Sequence, residues 1–99
     1  MSRIYIAGKV TGTSDYIERF AKAEEWLLEH DTECVVANPV KVNAGLPENT
    51  PYKDYIHIGL EMLRACDTIY MLNGWENSPG AVLEHQYAKT LEYRIIYEG

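Results

Sequence analysis

Cysteine is scarce in this sequence of 99 residues, with Cys34 and Cys66 the only two. That is too few for a disulfide scaffold, and neither stands in the C-x-x-C spacing of zinc or redox sites, so both read as small buried hydrophobes. Long hydrophobic runs are missing as well. The apolar stretches span only a few residues, far short of the ~20 that cross a bilayer, and Met1-Ser2-Arg3 leads into a strand rather than a signal sequence. A cytoplasmic protein with no membrane partner is expected. Positive charge is also in short supply: nine basic side chains face fifteen acidic ones, a net charge of −6, and Lys and Arg cluster nowhere. Binding many phosphates needs such clusters, so nucleic acid is not expected as a partner. Neither G-x-G-x-x-G nor G-x-x-x-x-G-K-[ST] occurs, and His30, His57 and His85 form no ligand constellation. Neither a cofactor nor a metal is expected.

What is present is an ordinary globular composition, 46% hydrophobic and 24% charged, at a length that fits one domain over residues 1–99. Arg3-Ile4-Tyr5-Ile6-Ala7 reads as a buried strand stopped by Gly8. Asp15 and Glu18 form a capping-box pattern ahead of Ile17, Phe20, Ala21, Ala23, Leu27 and Leu28 at helical spacing, which predicts a first helix over 15–30. Cys34-Val35-Val36-Ala37 is a second buried strand, ended by Asn38-Pro39 and followed by a long loop over 38–50. Thr50 as N-cap and Pro51 in the first turn start a second helix that runs to Ala65-Cys66. Thr68-Ile69-Tyr70-Met71-Leu72 is a third strand. Ser78-Pro79 opens a third helix carrying Ala81, Leu83, Tyr87, Ala88 and Leu91, and Arg94-Ile95-Ile96-Tyr97 is the last strand.

Alternation of strand and helix predicts an α/β fold: a parallel four-stranded sheet in the order 2-1-3-4 with helices on both faces. Ligands of such sheets bind beyond the carboxyl ends of the strands where the order reverses, here between the first and third strands. Two loops meet there. Gly8 and Gly12 flank Lys9, a segment that either cradles an anion or simply turns tightly into the helix. In the second, Gly74, Trp75, Asn77, Ser78, Gly80 and Ala81 lead into a helix N-terminus, where exposed amides attract phosphate or carboxylate. Ser78 either caps the helix or donates to a ligand. Trp75 either stacks on a base or packs beneath its loop.

Glu84 is the most informative residue. It lies three positions after Ala81 and four before Ala88, so it shares their sheet-facing stripe, where a carboxylate is costly unless it serves as a nucleophile or binds ligand hydroxyls. The bland alternative is a side chain at the stripe's edge that reaches out to water. Tyr5, a hydroxyl within an apolar strand, needs a partner, and the Glu84 carboxylate is a candidate.

Ile4-Tyr5-Ile6-Ala7-Gly8, Cys66-Asp67 and Gly74-Trp75-x-x-Ser78-x-Gly80-Ala81-x-x-Glu84 together resemble the nucleoside 2-deoxyribosyltransferase-like superfamily, in particular a short branch found in bacteria and phages. The resemblance implies a flavodoxin-like three-layer sandwich, a pocket for nucleosides or nucleoside 5′-monophosphates, and a homodimer or larger homo-oligomer. It implies that Glu84 is the nucleophile at the anomeric carbon, that Tyr5 positions it, and that Ser78 with the Gly80 and Ala81 amides meets a 5′-phosphate. One departure stands out: the family commonly has an aspartate on the second helix, eight residues before the one opening the third strand, and that position here is Gly59. The glycine suggests that extra room is useful there.

Two functions are compatible with this reading. In the first, the pocket binds a nucleotide-derived small molecule without turning it over, a property that would serve a phage countering host defence by sequestering a nucleotide signal such as an ADP-ribose derivative. In the second, the protein is an N-glycosidic enzyme, a nucleoside 5′-monophosphate N-glycosidase or a nucleoside deoxyribosyltransferase. Glu84 then attacks, Ser78 and Lys9 hold phosphate, and Asp54 or Glu61 assists the leaving base.

Overall fold

The computed structural model describes residues 1–99. Strands β1 (Arg3–Ala7), β2 (Val35–Ala37), β3 (Thr68–Met71) and β4 (Arg94–Tyr97) form one sheet in the order β2-β1-β3-β4. Every pairing is parallel, with Ile4 opposite both Val36 and Thr68, and Ile69 opposite Ile95. Parallel neighbours require crossovers, which helices α1 (Tyr16–His30), α2 (Pro39–Asn43), α3 (Tyr52–Arg64) and α4 (Pro79–Thr90) supply. This is the α/β three-layer arrangement read from the sequence. No helix is long and apolar enough to cross a membrane.

The period of two along each strand sorts the core into two halves. Ile4, Ile6, Tyr70 and Leu72 pack with Phe20, Ala23 and Leu27 of α1 on one face of the sheet. Tyr5, Ala7, Ile69 and Met71 pack with Leu63 of α3 and with Ala81 and Ala88 of α4 on the other. Tyr5 therefore points toward α3 and α4 because it alternates with Ile4 and Ile6.

Several local expectations are corrected. The segment 38–50 is not all loop: the Asn38 side chain accepts a hydrogen bond from the Val40 amide at 3.0 Å, Pro39 fits the first turn, and α2 follows. The capping box of α1 does not form, since Asp15 makes no side-chain cap and Glu18 pairs instead with Lys22 at 2.9 Å on the surface. Thr50 does not cap α3. Its hydroxyl donates to the Pro47 carbonyl, Pro51 takes the cap position, and the helix begins at Tyr52. The second strand lies at the sheet edge and starts at Val35, which is 53% exposed, so it is not buried on both faces. β3 ends at Met71, and the buried Leu72 follows it with its amide still donating to the Ala7 carbonyl at 2.9 Å. Ile17, Leu28, Tyr52, Leu83 and Leu91 are exposed rather than part of the buried helix faces, and Cys66 is only half-buried. Phe20, Ala23 and Leu27 fill the inner face of α1 and Leu63 that of α3, whereas α4 turns only small apolar residues, Ala81 and Ala88, to the core, which lets it lie close to the sheet.

Candidate active site

β1 and α4 meet on the α3 side of the sheet, and their two polar side chains meet with them. The Tyr5 hydroxyl donates to Glu84 Oε2 at 2.5 Å. Both residues are buried, Tyr5 2% and Glu84 9% exposed, so the pair is sealed from bulk water on the protein side. Burial pushes the Glu84 carboxyl up to about 7, and the hydrogen bond from Tyr5 offsets only part of that rise. The Tyr5 hydroxyl is raised well above its ordinary value by burial and by the adjacent carboxylate, so it stays a donor. Glu84 Oε1 has no partner in the chain and is not sealed off. One oxygen is held and the other is available.

Gly59 explains how the carboxylate fits. A Cβ at this buried mid-helix position of α3 would lie 2.6 Å from Glu84 Oε2 and 2.9 Å from the Tyr5 hydroxyl. The room left by the missing side chain is thus taken by the Tyr5–Glu84 pair. It is not spare volume for a ligand, as the sequence alone suggested.

The pair borders a cavity of about 420 Å³ at the carboxyl end of β1, within the range of small-molecule sites. Of the residues singled out in the sequence, Tyr5, Gly8, Ser78, Gly80, Ala81 and Glu84 stand in its wall. Lys9, Gly12, Gly74, Trp75 and Asn77 do not. Gly12 and Gly74 adopt φ of +81° and +87°, the left-handed turn conformation that glycine tolerates best. Trp75 begins a 3₁₀ turn (Trp75–Asn77) that rotates its ring onto His85, 4.2 Å away between centroids, and away from the cavity. Gly8 and Gly80 let neighbouring side chains approach closely: a Cβ would lie 2.8 Å from Leu72 Cδ1 at the first and 2.9 Å from Ile56 Cδ1 at the second.

Ser78 caps α4 by accepting from the Ala81 amide at 3.2 Å, and the Val82 amide bonds to the Ser78 carbonyl. Pro79 has no amide hydrogen, which leaves Gly80 as the free donor of the first turn. Asp54 and Glu61 are not in the cavity wall either. Glu61 lies at the surface, 3.2 Å from Arg64. None of the wall residues is Lys, Arg, His or Asp, and Glu84 is its one carboxylate.

Sequence reasoning missed most of the opposite wall. Tyr16, Tyr52 and Tyr55 contribute aromatic surface, and Thr50 and Asn43 contribute polar atoms. The Asn43 amide oxygen is buried there without a hydrogen-bond partner. A signal existed for part of this: Tyr55 and Ile56 lie four and three positions before Gly59, which places them on the same face of α3. Asn43 depends on α2, whose only sequence cue is Asn38-Pro39. No group of three or more His, Cys, Asp or Glu gathers anywhere in the fold.

A family model described as a domain of unknown function, DUF4406, matches residues 2–97. No curated protein matches the sequence. Among solved structures, a 2-deoxyribosyltransferase from Bacillus psychrosaccharolyticus is similar at a TM-score of 0.74 and 17% identity, over 97% of this chain and 71% of that one. A 2-deoxyribosyltransferase from Leishmania mexicana is similar at a TM-score of 0.69 and 23% identity, over 98% of this chain and 63% of that one. The chain therefore shares the fold of these two 2-deoxyribosyltransferases, spanning 71% of the first and 63% of the second.

Proposed function

Because the chain belongs to the DUF4406 family, whose description assigns no activity, we propose a function from its cavity: it cleaves the N-glycosidic bond of a nucleoside-class ligand with Glu84 as nucleophile. The observation that carries this reading is the buried Tyr5–Glu84 hydrogen bond at the cavity wall, which fixes one carboxylate oxygen and leaves the other free. The deoxyribosyltransferase fold supports the ligand class. In the first step Glu84 Oε1 bonds to the anomeric carbon, the carbon–nitrogen bond breaks, and its electron pair leaves with the base. In the second step water, or another base, attacks the same carbon and the Glu84 ester bond breaks. Tyr5 is a positioning residue throughout: it prevents the carboxylate from rotating away.

Phosphate binding has less support. Ser78 is engaged in capping, Lys9 lies outside the wall, and one free amide is a poor substitute for a cationic cradle. Chromatography of free base from a panel of nucleosides and their 5′-monophosphates tests the reading. Release by the wild type, reduced about 10³-fold or more in Glu84→Gln, is the expected result. Because only the ionised carboxylate attacks, kcat/KM rises with pH through about 7, the value to which burial lifts Glu84. No release from any compound overturns the enzymatic reading.

One observation favours a second reading, retention of a nucleotide-derived ligand without turnover: the cavity wall holds no acid besides Glu84 to protonate a departing base. Sequestration of a nucleotide signal belongs to this reading. Calorimetry separates the two, since a binding isotherm with no base released supports retention.

A further inference from the structure

Expelling the base of an ordinary nucleoside puts an electron pair on a ring nitrogen, and without a proton the base departs as an anion. A positioned acid typically contributes ~10²–10⁴-fold to such a step. The cavity has no group free for that work. Glu84 must be ionised to attack, the Tyr5 hydroxyl is committed to Glu84, and the other titratable side chains of the wall are phenols, weak acids as a class. Gly59, which α3 contributes to the wall beside the pair, has no side chain to offer, and the space a Cβ would take is filled by the Glu84 carboxylate and the Tyr5 hydroxyl.

Resting on the glycosidic reading above, we infer that the preferred substrates are N-glycosides whose base carries a fixed positive charge, such as a pyridinium or an N7-alkylated purinium. In these the carbon–nitrogen bond breaks with both electrons going to the cationic ring nitrogen, and the base leaves neutral with no proton transferred. Charge also balances inside the cavity. A cationic substrate beside the Glu84 anion becomes a neutral ester and a neutral base, whereas an uncharged nucleoside would leave an anion in a poorly hydrated space. Water then adds to the anomeric carbon, the ester bond returns its pair to Glu84, and the spare proton passes to solvent. The walls suit a cation: they present no Lys, Arg or His to repel it, and Tyr16, Tyr52 and Tyr55 offer aromatic faces that attract one. The net charge of −6 favours its approach.

Base release by the full chain, measured chromatographically with the Glu84→Gln background subtracted, decides the matter. The probes are nicotinamide riboside and 7-methylguanosine against inosine and 2′-deoxyadenosine. Cleavage of either cationic probe at least ~10²-fold faster in kcat/KM than the neutral ones is the expected result, the size of the missing acid contribution. Which of the two reacts reports whether the base is a single or a fused ring. Cleavage of the neutral nucleosides at comparable or greater rates overturns this inference and leaves the glycosidic reading standing. If no probe is cleaved, both fall.

Discussion

At Gly59 a single missing side chain fixes where the carboxylate of another helix can sit. Alanine there would raise the intrinsic helix propensity of α3 by about 1 kcal/mol, yet its methyl would stand 2.6 Å from Glu84 Oε2 and 2.9 Å from the Tyr5 hydroxyl. The carboxylate has to turn toward the cavity and loses the Tyr5 hydrogen bond. A displacement of about 1 Å at a reacting group costs on the order of 10²-fold in rate. Gly59→Ala is therefore expected to keep its fold by circular dichroism while base release falls by about that factor; unchanged turnover in a folded variant would show that the contact is dispensable. The inward direction of Glu84 was legible from its spacing to Ala81 and Ala88, a property of one helix. The meaning of Gly59 was not, because it depends on how closely α3 approaches α4 and β1, and spacing along the chain carries no information about that distance.

The elements divide in the same way. The four strands and their order followed from β-branched runs separated by amphipathic segments, since parallel pairing and crossover handedness leave few arrangements. The segment 38–50 resisted because a five-residue helix has too few positions to show a period, and Asn38-Pro39 signals a turn as readily as a helix start. Leu83 of α4 and Leu91 at its C-cap misled for a related reason: the apolar residues of the buried stripe are small, so large apolar side chains do not mark the inner face. Asn38 shows what the short helix contributes. It is 4% exposed, accepts from the Val40 amide and donates to Glu24 Oε1 at 3.1 Å, joining α2 to α1. Asn38→Ala is expected to cost about 1 kcal/mol in denaturant unfolding, the typical value of a lost cap. Because Pro39, Val40 and Asn43 stand in the cavity wall, the same variant is also expected to weaken ligand binding measured by calorimetry. A stability loss with unaltered affinity would mean that α2 braces the fold without shaping the site.

For the molecule as a whole, the Glu84 carboxyl couples function to stability. Its value of about 7 in the folded chain stands above the ordinary 4.5 expected of the unfolded one. Between those two values the folded state holds a proton that the unfolded state has released, so stability falls as pH rises and levels off above about 7. The total is on the order of 3 kcal/mol, a large fraction of what keeps a chain of this size folded. Glutamine at this position cannot ionise and can still accept from Tyr5. Glu84→Gln is thus expected to be as stable as the wild type near pH 4 and more stable near pH 8, with a melting temperature raised by on the order of 10 °C. Thermal melts across that range read the difference directly, and the comparison cancels the titration of groups common to both proteins. An equal or lower melting temperature near pH 8 would mean that the carboxylate is better solvated or better compensated than its burial implies. The expected pattern is that of a group retained against stability, and such a cost is a mark of sites kept for chemistry.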